Sequence, residues 1–254
     1  MRRLAAAVLI LSSSLFGASG AGAQEPVYYQ DILFTWNQVK FDIVVVPPNH
    51  GQVYNGNGPL AGGDPNEATP WNSYLRAIED SIQAWDDAVD EFAHPFLKRH
   101  FESRVYVVGR DQLPEDDEDI EILIVTDESK TLILGVAVYG DRPCIVDNSK
   151  FFVDSFTYED MFSVNAQEYG HCLGLAHVRD NQPEHDAMDG TYDDQPGTAG
   201  VHLHCPSNLN VYGLHAALGY YYPKYSNRAI MPASQYRQTA CEKDFPAEDH
   251  PVRG

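Results

Sequence analysis

The segment Gln167-Glu168-Tyr169-Gly170-His171-Cys172-Leu173-Gly174-Leu175-Ala176-His177 holds a carboxylate, two imidazoles and an amide within eleven residues. On a helix, residues 167 and 171 project from one face about one turn apart, and Glu168 neighbours that face. Gly174 can take a backbone conformation closed to other residues, so the chain can turn there and return His177 toward His171. Neutral imidazoles bind a metal ion, and a carboxylate outside the first shell can take a proton from a water held at an open position. The spacing therefore points to hydrolysis assisted by a metal.

These residues need a helix that stops at Gly174, and the flanking sequence predicts one over 157–173. Thr157 suits the N-cap, with Glu159 and Asp160 in the first turn, where the positive end of the helix favours acids. A longer helix precedes it. Leu75, Ile78, Ile82, Trp85, Val89 and Phe92 recur at steps of three and four, which gathers the large apolar side chains on one stripe facing a core. Pro95 prevents its continuation. Strands are expected at Phe41–Val46, Arg104–Val108, Ile120–Thr126 and Leu132–Tyr139, and a last helix at Asn210–Tyr221. The chain between the second and last helices reads as irregular. No repeat and no dividing linker appears, so the expectation is one α/β (α+β) domain over 24–254.

Composition narrows the setting. The chain has 254 residues, 37 acidic against 17 basic, and a formal charge of −20. A surface so acidic repels phosphate backbones, which argues against nucleic acid as a partner. Residues 1–23 have the form of a secretory signal: Arg2-Arg3, an apolar run from Leu4 to Phe16 broken by Ser12–Ser14, then Ala21-Gly22-Ala23. No later stretch is apolar and long enough for membrane insertion, so an exported protein is expected. In an oxidising compartment Cys144, Cys172, Cys205 and Cys241 imply two disulfides, with three pairings open. The acidic run Glu115–Asp119 lacks the spacing of a calcium-binding EF-hand and reads as a solvated turn. The sequence does not choose between a pro-segment and part of the fold for Gln24–Gln38.

The pattern of Glu168, His171, Gly174 and His177 resembles the metzincin zinc metallopeptidases, whose motif is H-E-x-x-H-x-x-G-x-x-H followed by a Met-turn. Met188, in Asp186-Ala187-Met188-Asp189-Gly190, lies where that family places its Met-turn, and the similarity covers about residues 38–225. The resemblance, nearest to the matrixin-like branch, implies a twisted mixed sheet with a long core helix, an active-site helix and a C-terminal helix. It also implies Zn2+ as cofactor, Glu168 as general base, and a protein or peptide substrate extended along the edge strand Leu132–Tyr139. Specificity would then come from the segment after Met188. Tyr192, four residues beyond Met188, is a candidate for stabilising an oxyanion, and Ca2+ is a further possible ion in an acidic exported protein.

One position departs from the motif. Gln167 stands where the family has its first histidine, and an amide oxygen is a weaker zinc donor than imidazole. Three accounts are open: Gln167 binds the metal through its amide, or His185, His202 or His204 completes the site, or the fold persists as a non-catalytic binding or structural module. His94, His100, His215 and His250 read as ordinary surface or core histidines. Cys172 points about 100° away from His171 on the same helix and suits a disulfide better than a ligand. No nucleophilic serine motif or phosphate-binding glycine loop competes with this reading.

Overall fold

The computed structural model describes residues 27–46, 70–109, 113, 120–125, 136–138, 143–148, 158–179, 185–189, 203–218 and 228–241. Within them the chain forms a mixed α and β structure with two sheets and four α-helices. The five-stranded sheet contains β2 (Lys40–Val45), β3 (Glu102–Val107), β4 (Ile122–Val125), β5 (Val136–Val138) and β6 (Cys144–Asp147), in the order β3-β2-β4-β6-β5. Its pairings are parallel except for β5, which runs antiparallel to β6 at one edge. Central β2 is buried on both faces, as its unbroken Ile-Val-Val run requires. Phe41, Ile43 and Val45 enter the main core, while Val44 joins Val46 and Ile120 in a smaller cluster.

The periodic helix is α1 (Pro70–Phe92). Ile78, Ile82, Trp85 and Val89 are buried, and Leu75 and Phe92 pack against the core from its margin. Each fully buried side chain of this size contributes on the order of 1.5–3 kcal/mol of transfer free energy. The chain restarts directly as α2 (Pro95–His100), because proline at the first helical position forfeits no hydrogen bond and His94 Nδ1 caps Phe96 N–H at 3.2 Å.

The helix bearing the motif is α3 (Tyr158–Cys172), packed along α1. Trp85 Nε1 of α1 donates to Ala166 O at 2.9 Å, and its ring meets Tyr169 edge-on. Thr157 lies outside the described residues. The Cys144–Cys172 disulfide ties the end of α3 to β6, and Cys205–Cys241 closes the second pair, so one of the three possible pairings is selected.

The stretch expected to be irregular after Gly174 instead begins with β7 (Leu175–Arg179), in a second, antiparallel sheet ordered β7-β1-β8. Its middle strand is β1 (Val27–Ile32) and its far strand β8 (Arg228–Pro232). Segment 27–38 is thus part of the fold, and it clasps the end of α3: Leu33 N–H donates to Gly174 O at 2.8 Å and Trp36 Nε1 to Cys172 O at 2.9 Å. Short strands such as β6 and β7 carry too few residues for alternation to declare them, and long-range pairing creates them. The last helix, α4 (Asn208–Ala217), is shorter than the expected Asn210–Tyr221. It starts at a Ser207 capping box, and residues 219–221 lie outside the described set. Among the described residues no helix is long and apolar enough to cross a membrane.

Candidate metal centre

Gly174 takes φ +97°, and a β-carbon there would lie 2.7 Å from Phe34 O. The turn sends β7 back along α3 and delivers His177 to the two side chains one helical turn apart. His171 Nε2 lies 3.0 Å from His177 Nε2, and Gln167 Nε2 lies 2.9 Å from the same atom. The motif residues predicted to converge do converge.

The hydrogen bonds of this cluster do not balance at neutral pH. His171 Nδ1 faces Leu175 O at 2.8 Å, so Nδ1 carries the hydrogen and Nε2 presents a lone pair. His177 Nε2 then either accepts from the Gln167 amide or carries one hydrogen of its own. In the first case two imidazole lone pairs face each other. In the second, with the amide turned to present its oxygen, one hydrogen serves two acceptors. Protonating His171 would not restore the balance, since two donors would then face the single lone pair of His177 Nε2, and burial, with His177 adding to it, holds its pKa down to about 4, against the pull of Leu175 O. Burial also lowers His177, opposed by Asp189 and reinforced by Arg179.

A cation placed among the three groups satisfies every lone pair. Donors about 2.1 Å from a tetrahedral zinc ion sit about 3.4 Å apart, so contacts of this length need only a few tenths of an ångström of opening. The bond from His171 to a backbone carbonyl is the outer support that orients a ligating imidazole. Neutral imidazoles and a rotatable amide thus fit a zinc ion, with the amide as the weak member. Among the described residues, no group of three or more His, Cys, Asp or Glu side chains is placed to hold a metal. The His185 and His204 rings meet edge-on, with centroids 5.5 Å apart.

Glu168 is 7% exposed, on the turn of α3 between Gln167 and His171. Met188 is fully buried, and a β-carbon at Gly170 would collide with its sulfur and lie 2.7 Å from Trp85, so the thioether packs directly beneath this turn of α3. Met188 O accepts Val178 N–H at 2.9 Å, locking the Met188 turn to the strand bearing His177. Tyr192 and His202 lie outside the described residues.

Three supporting residues were not singled out from the sequence. Ser163 Oγ accepts His204 N–H at 3.1 Å, Asp189 acts electrostatically on both His177 and His204, and Asp186 holds the Met188 turn. Only Asp186 carried a local signal: an aspartate two residues before a turn amide is the pattern of an Asx turn. Comparison of the chain with protein-family models and with curated proteins finds no match.

Proposed function

We propose that this chain is an exported zinc-dependent endopeptidase of metzincin type, with Gln167, His171 and His177 holding the ion and Glu168 as general base. The observation that carries the reading is the approach of both Gln167 and His171 to His177 Nε2, where donors and acceptors do not balance. Zinc bound among these groups supplies Lewis acidity and brings the pKa of a water toward neutrality.

The chain's own residues do the rest. The Glu168 carboxylate, largely shielded from solvent, takes a proton from the attacking water and returns it to the departing amine. The Leu175 carbonyl keeps His171 in the tautomer that presents Nε2. β5 ends the five-stranded sheet, and α3 packs next to it, so a peptide added along that edge would pass the motif helix. The element order along the chain, with the long α1 before α3 and the Met188 turn after it, supports this reading. The two disulfides agree with an oxidising compartment.

Gln167 itself favours a second reading, a non-catalytic module on the same fold, because an amide donor weakens any zinc site. The full chain is purified without chelator, its zinc is counted, and it is incubated with an unfolded protein substrate. About one zinc per chain, with cleavage that Glu168→Ala abolishes while zinc remains, supports the peptidase. A stable chain that neither takes up zinc nor cleaves establishes the module instead.

A further inference from the structure

Asp186 is a completely buried carboxylate, and its hydrogen-bond donors among the described residues are uncharged. One oxygen accepts Met188 N–H at 2.8 Å and the other accepts the Tyr236 hydroxyl at 2.7 Å. Burial raises its pKa, and these two bonds, with the neighbouring side chains of Ser207 and Asn210, oppose that rise. Two lines of hydrogen bonds run from this neighbourhood to the backbone around His177. In the first, the Met188 turn that Asp186 shapes accepts Val178 N–H through Met188 O at 2.9 Å. In the second, Asn210 Nδ2 donates to Gln30 Oε1 at 3.3 Å, and Gln30 Nε2 donates to Ala176 O at 2.8 Å. The carbonyl before His177 and the amide after it are both held, the amide by the turn that Asp186 shapes and the carbonyl by Gln30, whose partner Asn210 neighbours Asp186.

The far side of Asp186 belongs to the C-terminal segment. Tyr236 follows β8, and its ring stacks edge-on against Tyr28 of β1. Cys241 is bonded to Cys205, whose backbone pairs with residues on both sides of Asp186: Ala187 N–H to Cys205 O at 2.9 Å and Cys205 N–H to His185 O at 3.0 Å. Thr239 N–H donates to Pro206 O at 2.9 Å. The segment 228–241 is thereby fastened to the Met188 turn by a disulfide, backbone bonds and one phenol.

We infer that Asp186 is a positioning residue for His177, and that the C-terminal segment, acting through Tyr236, is part of the support of the metal centre. The inference rests on the reading that His171 and His177 share an ion, and it extends that reading to residues that touch neither the ion nor the substrate. Removing the Tyr236 hydroxyl loosens the Met188 turn and lets the His177 imidazole wander, although residue 236 lies 59 positions away in sequence.

The test uses the full chain carrying Tyr236→Phe and, separately, Asp186→Asn. Circular dichroism establishes folding, and amide hydrogen exchange is followed by NMR at Val178 and, as a distant control, at Val45. Co2+ is titrated alone, with its visible absorption as the signature of ligand geometry. The expected result is faster exchange at Val178 with no change at Val45, a Co2+ dissociation constant raised about tenfold, and an altered cobalt spectrum. A folded Tyr236→Phe variant with the parent's Val178 exchange and cobalt affinity overturns the inference. If the parent itself takes up no Co2+, the metal reading fails, and exchange at Val178 alone then decides the positioning role. If Asp186→Asn does not fold, Tyr236→Phe, which removes a single hydroxyl, carries the test.

Discussion

His171 and His177 meet through their Nε2 atoms at 3.0 Å although one sits on a helix and the other on a strand. They lie six positions apart, and a helix continued through that distance would place the two rings on different faces. The meeting depends on Gly174, whose φ of +97° ends α3 and reverses the chain. Every chemical expectation for the site passes through this one backbone angle.

Gly174→Ala tests it directly. An added β-carbon would strain the left-handed conformation and press on Phe34 O, the neighbour of a backbone bond that closes the turn. We expect a loss of about 1–3 kcal/mol in urea unfolding, accompanied by weaker zinc binding.

Gln167→His supplies the imidazole that the motif lacks, on the same turn of α3. Zinc affinity should rise by about tenfold or more, measured by competition with a chromophoric chelator, and any cleavage rate should rise with it. A fall in cleavage with tighter zinc binding would show that the amide has a catalytic role of its own.

The pH dependence of stability has a worked direction at His215, outside the metal centre. Its Nε2 accepts His94 N–H at 3.3 Å, and burial, with His94 adding to it, holds its pKa down to about 4. The unfolded chain takes up this proton near pH 6.5, the folded chain only near 4, so stability is complete above 6.5 and declines as pH falls toward 4. Because the ring keeps a solvent-facing edge, the share of this one histidine is about 1–2 kcal/mol. Urea midpoints of parent and His215→Gln between pH 4 and 7 should show a shallower acid decline in the variant.

The Cys144–Cys172 bond spans 28 residues and joins β6 to the last turn of α3, beside His171. Replacing both cysteines by alanine should cost about 2–4 kcal/mol in urea unfolding. Because Cys172 is fully buried next to a donor, the same variant should also bind zinc less tightly.

Local chemistry was legible wherever the residues that act are close in sequence. The apolar stripe of α1, the stop at Gly174 and the convergence of 167, 171 and 177 depend on helical period and on one residue's conformational freedom, and a short window displays both. Of the expected strand Leu132–Tyr139, Val136–Val138 pairs with β6 as β5, and the remaining residues lie outside the described set. The antiparallel sheet was not legible at all. β1, β7 and β8 lie about 145 and 200 residues apart at their extremes, and no local period announces a pairing of that range.

By itself the sequence determined the donor types, their spacing, the acidic surface and an even set of cysteines. Only the tertiary structure chose Cys144–Cys172 and Cys205–Cys241, brought β1 beside the strand of His177, and placed Tyr236 against Asp186. The physical reason is the same in each case. A side chain's chemistry is carried by the residue, whereas its partners depend on which distant segments bury their apolar faces together, and that is settled by the whole chain at once.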